Sequence, residues 1–399
     1  MRRIPDFTRT TALVARGLGL TPAQLVSAFR PAGSADLEGV LALRQQEQGK
    51  QIWWDDAAFL QWRYHFGSST QGRGEFWVVA TPDGVLAGVG TEEAELGGAA
   101  GECRAQFLMD ILVRSDLRGS ALGPWMNMAL HEHYECVMVF GSNSNSNSMV
   151  TQQFAQQHRL HTYSLRLRCK DVLERRLGNG TLASLCAPFG DLALLGWRLA
   201  HRARGPGELL VSTVTGLDEL GPDFARWTPP EDEVGRVRSR EFLDWRALSN
   251  PRSRFTVSVA WRGDRPVGYL VSQFVPAKSG SQWLQLLDWN TAPDEHESAL
   301  AALLTDAVQQ AAAANCSALR TSVLHIRSER VLRKLGFVLR PDDAAPFVYS
   351  CKPSHPLHAL KSPQWHITHL DGDVDQPSAI QMRSLRTTQL TAGNLPEEA

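Results

Sequence analysis

Two hairpin patterns dominate the order of apolar and polar positions along the chain. Residues 76–90 (FWVVATPDGVLAGVG) form a β-rich apolar run, an Asp-Gly pair and a second run. Residues 255–271 (FTVSVAWRGDRPVGYLV) repeat this pattern with a Gly-Asp pair at the turn. A short turn containing glycine between two β-rich runs predicts an antiparallel hairpin. The hairpins lie in different halves of a 399-residue chain, a length that favours two or three domains.

The hairpins belong to an internal repeat. The sequence FLQWR at 59–63 recurs as FLDWR at 242–246. Further upstream, LVS at 25–27 recurs at 210–212, and each copy is predicted to begin a strand. Because the matches keep the same order in both halves, they predict two homologous domains.

Each copy predicts the same succession: strand, helix, hairpin, strand with an acid, helix, strand, helix and strand. The acid is Asp110 in the first copy and Asp288 in the second. The closing elements are predicted at 125–134, 136–140, 149–157 and 161–167 in the first copy, and at 298–314, 318–322, 327–335 and 347–351 in the second. Strands that alternate with helices after an antiparallel start predict an α/β fold with a mixed sheet.

The repeat defines the expected domain organisation. We expect an N-terminal extension (1–21), a first domain (22–170), a linker (171–207), a second domain (208–375) and a disordered tail (376–399). The first 20 residues are also expected to be poorly ordered. The linker is apolar and then basic, which is compatible with a helix on a membrane surface. A helix packed across the two domains is the favoured interpretation.

Composition excludes several classes of partner. The net charge of −1 provides no basic field for nucleic acid or for an anionic membrane, and no apolar stretch predicts stable membrane insertion. The six cysteines are scattered singly, so we expect buried free thiols in a reducing cytoplasm. No metal site is expected, because His131 and His133 point to different faces of a predicted helix. The oligomeric state is not predicted.

The strongest local signal follows the strand that contains Asp110. The sequence RSDLRGSALGP at 114–124 turns through small residues into a predicted helix. Backbone N–H groups at such a helix N-terminus can hold a pyrophosphate, and Arg118 adds a forked donor for the same anion.

This segment resembles the pyrophosphate loop of the GCN5-related N-acetyltransferase (GNAT) family, Q/R-x-x-G-x-G/A. Arg118, Ala121 and Gly123 occupy its three fixed places, with alanine instead of the usual glycine. The sequence at 29–45 is similar to the family's first strand and helix, and RKLGF at 333–337 resembles its late K-x-G-F-type segment. The resemblance covers roughly residues 22–170 and 208–353 and implies two tandem GNAT-like domains.

The resemblance implies that the first domain binds acetyl-CoA or another acyl-CoA as co-substrate. The implied contacts are Leu112, Val113, Arg118, Gly119, Ser120, Ala121, Leu122 and Gly123, and a backbone N–H near Leu112 or Val113 is the expected oxyanion donor. The second copy has three acids and no glycine at the equivalent place, 290–297, so we expect no acyl-CoA there.

The catalytic groups are less clearly indicated. Asp110 is the first candidate for the base, although Asp288 at the same place in the other copy favours a structural role for both. The family's usual acid is a tyrosine, but Phe154 stands at its position in the first copy. Tyr134 and Tyr163 are the alternative acids.

Two pairs of residues are candidates for acceptor contacts. Trp62 and Arg63 recur in both copies, so packing is their first interpretation and contact with the acceptor the second. Ser142 and Asn143 belong to a Ser/Asn repeat after the fifth predicted strand and offer donors and acceptors to a hydroxyl-rich ligand. A flexible capping loop is an equal alternative for that repeat.

These observations lead to three functional hypotheses. The first is an N-acyltransferase that acts on a small-molecule amine or amino sugar in polysaccharide or cell-envelope synthesis. The second is a Fem-type aminoacyltransferase that uses aminoacyl-tRNA, and the missing basic excess disfavours it. The third is a CoA-binding module without enzymatic activity.

Overall fold

A computed structural model describes residues 6–48, 57–66, 74–141, 154, 156–201, 209–220, 226–251, 255–276 and 281–372. The predicted tail and residues 149–153 lie outside them. The chain divides into two compact units. Unit 1 comprises Met1–Arg159, Asn250–Arg252 and Pro346–Pro363; unit 2 comprises Leu160–Ser249, Ser253–Ala345 and Gln364–Ala399.

The first part of the chain contains the elements numbered to α5 and β6. Its helices are α1 (Phe7–Gly17), α2 (Pro22–Ala28), α3 (Leu37–Gln48), α4 (Ala57–Arg63) and α5 (Leu122–His133). Its strands are β1 (Phe29–Pro31), β2 (Tyr64–His65), β3 (Gly74–Thr81), β4 (Gly84–Gly98), β5 (Cys103–Val113) and β6 (Cys136–Phe140).

The later part contains the remaining elements. Its helices are α6 (Lys170–Leu177), α7 (Gly180–Ala200), α8 (Arg240–Leu243), α9 (His296–Ala313) and α10 (Ile326–Lys334). Its longer strands are β7 (Gln156–Arg166), β8 (Leu209–Val214), β12 (Thr256–Arg262), β13 (Arg265–Pro276), β14 (Gln282–Thr291), β15 (Ala318–Val323) and β16 (Val338–Cys351). Its short strands are β9 (Arg226–Trp227), β10 (Glu233–Arg236), β11 (Arg238–Ser239) and β17 (Gln364–His366).

Each unit has a mixed sheet built on a three-stranded antiparallel meander. The order in unit 1 is β1-β3-β4-β5-β6-β16, with β5 and β6 parallel and the end of β16 antiparallel to β6. The order in unit 2 is β8-β12-β13-β14-β15-β7, with β14 and β15 parallel and β7 antiparallel to β15. The predicted hairpins are β3-β4 and β12-β13.

The last strand of each sheet comes from the other half of the chain, contrary to the sequence-based domain boundaries. The predicted strand 161–167 pairs with β15 of unit 2, where His161 lies opposite Val323. The predicted strand 347–351 pairs with β6 of unit 1, where Phe347 lies opposite Phe140. Apolar alternation shows that a segment is a strand but not which strand it pairs with, so the pattern placed both strands in the wrong sheet.

The two meanders share one irregularity, a β-bulge in the strand that carries the acid. In unit 1 a β-bulge falls at Asp110, since Met109 pairs with Gly90 but Leu112 pairs with Gly88. In unit 2 the corresponding bulge falls beside Asp288. A bulge inserts one residue into a strand and redirects the following side chains.

One match in the repeat is wrong. Residues 25–27 lie in the helix α2, whereas residues 210–212 lie in the strand β8. The capping box formed by Thr21 and Gln24, with Pro22 in the first turn, starts that helix and overrides the strand propensity of Val26.

The N-terminal region is folded, against the expectation of poor order. Helix α1 begins at the N-cap Asp6 and buries Val14 and Ala15 in the core of unit 1. Trp125 of α5 packs in the same core and donates a hydrogen bond of 2.9 Å to Thr11 Oγ1.

The predicted linker forms helices α6 and α7, which belong to unit 2. The inner face of α7 is made of small residues such as Ala183 and Ala187, which are buried. Its outer face exposes large apolar side chains: Leu185 is 67% exposed and Phe189 is 79% exposed. Among the described residues, no helix has the length and hydropathy needed to span a bilayer.

Cys136 and Cys351 form a disulfide, so the expectation of six free thiols is wrong for this pair. The two residues lie opposite each other in the ladder between β6 and β16, with their Cα atoms 4.1 Å apart. They are 215 residues apart in the chain, a spacing that corresponds to no local motif. Cys103, Cys169, Cys186 and Cys316 are free thiols.

Candidate functional site

The segment from β5 to α5 has the geometry of an anion-binding turn. A short 3₁₀ turn (Ser115–Leu117) follows β5, and Gly119 then adopts a φ of +93°. Ala121, the N-cap of α5, adopts the left-handed conformation with φ 61° and ψ 15°. Only glycine adopts this conformation without strain, which accounts for the glycine in the GNAT pattern.

Three groups of this turn can bind an anion. The first-turn N–H groups of Leu122 and Gly123 have no acceptor within the helix, and Pro124 at the third position has no N–H to satisfy. The Ser120 hydroxyl oxygen is buried and has no hydrogen-bond partner among the described residues. A buried hydroxyl group without a partner in a loop of this kind points to a ligand.

Arg118 is held by a carboxylate that the sequence did not reveal. Its guanidinium donates a hydrogen bond of 2.5 Å to Glu47 Oε2, and the Ser115 N–H donates one of 2.7 Å to Glu47 Oε1. Glu47 lies near the end of α3, and its side chain is only 3% exposed, whereas Arg118 is 57% exposed. Arg118 is therefore fixed at the loop and keeps much of its surface in solvent, but it must share its charge with Glu47.

The sheet of unit 1 opens beside this turn. The parallel ladder between β5 and β6 covers Gln106–Leu108 and Val137–Val139. The following residues of β5, up to Val113, pair with β4 on their other side. Leu112 and Val113 lie beyond this ladder, and among the described residues the edge of β5 is free there. This freed edge of β5 can present backbone donors and acceptors to an extended amide chain such as pantetheine.

Asp110 lies at the bulge with a φ of +53°, within a network of buried groups. Tyr64 donates a hydrogen bond of 2.7 Å to Asp110 Oδ2, and an Arg44 nitrogen lies 3.5 Å from the same oxygen. Burial raises the pKa of Asp110, but the charges of Arg44 and Arg63 and the Tyr64 hydrogen bond lower the pKa by more. Asp110 is therefore ionised at neutral pH, with a pKa below the range that suits a general base.

Asp288 occupies the same place in unit 2 and is fully buried. Arg238 donates to both of its oxygens, at 3.0 and 2.9 Å. Tyr269 and Thr368 add hydrogen bonds of 2.6 Å each. An acid at the bulge is thus bound to arginine and tyrosine in both units, which favours a structural role for the pair.

The two alternative acids lie in different units. Tyr134 follows α5 in unit 1 and donates a hydrogen bond of 2.8 Å to Glu75 Oε2; burial raises its pKa to about 12. Tyr163 lies on β7 in unit 2, where it donates to Glu329 at 2.7 Å and accepts from Arg333 at 3.0 Å. The assignment of Tyr163 to the first domain was wrong, because its strand pairs with β15.

Two of the four predicted acceptor contacts, Trp62 and Arg63, lie among the described residues. Trp62 and Arg63 are buried in unit 1, where Arg63 lies 3.6 Å from Glu92, so packing is their role in this structure. Their counterparts Trp245 and Arg246 are buried in unit 2. Ser142 and Asn143 lie outside the described residues.

The equivalent turn of unit 2 is filled by its own acids. Glu295, the N-cap of α9, bonds Arg262 at 2.5 Å and Ser298 at 2.7 Å. Glu297 bonds Lys334 at 2.6 Å. No residue of the described stretch 290–297 has a positive φ. Two carboxylates thus lie at the N-terminus of α9. The equivalent place in unit 1, the N-terminus of α5, is the candidate anion site.

Comparison with known proteins finds similar structures but no similar sequences. No family model matches the sequence, and no curated protein matches it. A probable N-acyltransferase from Enterococcus faecalis V583 aligns over 81% of this chain and 71% of its own, with a TM-score of 0.54 and 9% identity. GCN5-related N-acetyltransferases from Anabaena variabilis (TM-score 0.54, 9% identity) and Kribbella flavida (0.51, 12%) also cover 81% of this chain, over 72% and 71% of their own.

These proteins share the mixed sheets of the two units with this chain at very low identity, so the likeness concerns the fold. The α/β fold expected from the repeat is confirmed. The chain has the fold of the GCN5-related N-acetyltransferases.

Proposed function

We propose that this protein is an N-acyltransferase that moves an acyl group from acyl-CoA to the primary amine of a small molecule or amino sugar. Unit 1 holds the acyl-CoA through the turn from Arg118 to Gly123. The unpartnered Ser120 hydroxyl group, beside a left-handed turn and a free helix N-terminus, carries this proposal.

The proposed binding mode follows the geometry of the turn. The pyrophosphate is bound by the N–H groups of Leu122 and Gly123 and by the Ser120 hydroxyl group, in the positive potential of the α5 N-terminus. Arg118 neutralises part of its charge while it remains bonded to Glu47. The pantetheine arm extends along the edge of β5 towards the bulge at Asp110.

The reaction forms one bond and breaks another. The neutral amine attacks the thioester carbonyl carbon, so that a C–N bond forms and the C–S bond breaks. The proton that the attacking nitrogen loses ends on the departing sulfur, and CoA leaves as the thiol. The N–H of Leu112 or Val113 donates to the developing oxyanion at the freed edge of β5. Asp110, held by Arg44 and Tyr64, fixes the shape of the bulge and does not act as the base.

Mass spectrometry after incubation tests the activity. The protein is mixed with acetyl-CoA or a longer acyl-CoA and with a panel of amines and amino sugars. We expect one or more amines to gain the mass of the acyl group while free CoA appears. Retention of intact acyl-CoA with every amine would instead indicate a binding module. Acceptor acylation only with aminoacyl-tRNA would indicate a Fem-type enzyme.

The proposed role in polysaccharide or cell-envelope synthesis depends on the acceptor. It is supported if hexosamines or their nucleotide conjugates are the best acceptors in this panel. It is wrong if aliphatic or peptide amines react and all amino sugars do not.

A further inference from the structure

Three side chains from distant parts of the chain converge inside unit 2. Glu233 lies on β10, His325 immediately precedes α10, and His366 ends β17. The parallel ladder between β10 and β17 aligns Glu233 with Gln364 and Gly235 with His366, so His366 lies two positions along the ladder from Glu233. One potential ligand atom from each side chain lies within 4.8 Å of the other two.

His366 is the member of this cluster that the surrounding protein leaves unsatisfied. It is 6% exposed, and its Nε2 atom is buried and finds no hydrogen-bond partner in the described part of the chain. Its ring stacks on that of His325, with centroids 4.3 Å apart. Buried polar atoms are normally hydrogen-bonded, so an open imidazole nitrogen beside a second imidazole and a carboxylate indicates a missing partner.

From this geometry we infer that Glu233, His325 and His366 form a binding site for a transition-metal ion of the Zn²⁺ type. Two imidazole nitrogens and one carboxylate oxygen are ligands that zinc prefers in proteins. The inference does not depend on the proposed acyltransferase activity, since these residues lie in unit 2 and the proposed acyl-CoA site lies in unit 1.

The separations are close to those that a metal ion requires. His325 Nε2 lies 2.9 Å from Glu233 Oε1. Tetrahedral zinc with bonds of 2.0–2.1 Å places neighbouring ligand atoms roughly 3.3 Å apart. The ion therefore separates this pair slightly and draws the more distant His366 nitrogen inward, which requires rotation of the stacked ring.

The second nitrogen of His325 already has the partner that a metal ligand needs. Its Nδ1 lies 2.6 Å from Ser328 Oγ, and Trp289 donates to the same oxygen at 2.9 Å. When Nε2 binds the ion, Nδ1 carries the ring proton and donates a hydrogen bond to Ser328 Oγ. Such a hydrogen bond fixes the ring orientation of a ligating histidine.

Arg327 is the cation that competes for Glu233. Its Nε lies 3.2 Å from Glu233 Oε1, and another of its nitrogens donates to Asp232 at 2.7 Å. Arg327 can therefore give up Glu233 to the ion and keep Asp232.

Solvent reaches the neighbourhood of the cluster. Arg327 and His296 both line a cleft of about 410 Å³ at the N-terminus of α9. The His296 ring centroid lies 5.1 Å from that of His325, so a single side chain separates this cleft from the cluster.

Metal binding is measured on the full chain after chelator treatment and dialysis. The variant with Cys136→Ser and Cys351→Ser removes the disulfide sulfurs, which could bind zinc together with His355 if the disulfide were reduced. In this variant Zn²⁺ is titrated by calorimetry and counted by elemental analysis. We expect one Zn²⁺ per chain and a rise in melting temperature. Co²⁺ is expected to give the intense visible bands of a four-coordinate site.

The substitution His366→Ala, added to the double cysteine variant, is expected to abolish the binding of this one Zn²⁺ per chain. His369→Ala, which removes another buried histidine three residues later, is the matched control and is expected to retain it. Glu233→Gln is a second variant that preserves shape and weakens binding at least 100-fold. The inference is overturned if the folded parent binds no Zn²⁺ at micromolar concentration, or if His366→Ala and Glu233→Gln bind it as the parent does.

Discussion

The Tyr64 hydroxyl group donates a hydrogen bond of 2.7 Å to Asp110 at the bulge of β5, where Arg44 neutralises the same carboxylate. Arg44 is fully buried, so loss of the carboxylate removes a negative charge that faces a buried positive one. Breaking such a pair costs on the order of 3–5 kcal/mol. The contact therefore identifies Asp110 as a determinant of stability.

The substitution Asp110→Asn tests this role directly. We expect the free energy of unfolding, measured by chemical denaturation, to fall by about 3 kcal/mol. Turnover of the folded fraction is expected to fall by less than about tenfold, whereas loss of a general base costs about 10²–10⁴-fold. A turnover loss of a thousandfold in a protein of unchanged stability would reverse the assignment and make Asp110 the base.

The substitution Ala121→Asp is expected to abolish acyl-CoA binding in calorimetric titration. The new carboxylate would face the phosphates at the N-terminus of α5 and oppose the positive potential there. Aspartate tolerates the left-handed conformation, so the fold is retained. The matched change Ala292→Asp in unit 2 is expected to leave one site per chain. Two sites in the parent protein, or unchanged affinity in Ala121→Asp, would contradict the single site in unit 1.

The opposite change at the same position, Ala121→Gly, is expected to stabilise the protein. Alanine at a φ of 61° is strained by contact between its Cβ and the backbone, and glycine removes this contact. We expect a gain of about 1 kcal/mol in denaturant unfolding, with acyl-CoA affinity retained. A loss of stability would show that Ala121 is unstrained in solution.

His131 provides a test by pH. Burial, followed by the charge of Lys352, lowers its pKa to about 4, against 6.5 in an unfolded chain. The neutral form is favoured in the folded state, so its contribution to stability is complete above pH 6.5 and is lost as the pH falls towards 4. The loss amounts to roughly 3 kcal/mol.

The variant His131→Gln is therefore expected to lose less stability than the parent between pH 6.5 and 4, in urea unfolding at a series of pH values. His133→Gln, which removes an exposed imidazole from the same helix, is the control and is expected to follow the parent. Identical pH profiles for all three proteins would show that His131 is not buried as described.

Helix α7 offers a contrast between its two faces. Phe189→Gln on the exposed face is expected to change the free energy of unfolding by less than about 0.5 kcal/mol. Ala187→Gln on the buried face introduces a larger polar side chain against α6 and is expected to cost about 2 kcal/mol. Equal destabilisation by both changes would mean that the outer face of α7 is covered in solution.

The repeat made much of the fold predictable. Trp62 and Trp245 are buried at equivalent places in the two units, and Asp110 and Asp288 both lie at the bulge of their strand. Hairpin turns and helix starts are local features, so short segments of sequence are sufficient to predict them.

Several features that escaped prediction depend on contacts between distant segments. Glu47 of α3 forms a hydrogen bond with Arg118, which lies 71 residues later in the chain. Glu233, His325 and His366 come from three separate segments and lie close together. Nothing in the spacing of these residues indicates that they meet. The left-handed conformation of Ala121 could not be predicted either, because an alanine at this glycine position is also compatible with another type of turn.

The late arrival of residues 346–351 has a consequence for synthesis on the ribosome. Strand β6 must wait for a partner 215 residues further along, which at 5–20 residues per second is roughly 10–40 s. During this interval the unpaired backbone of β6 is an open sheet edge that can pair with other nascent chains. The sheet of unit 1 can therefore be completed only after translation has passed Cys351.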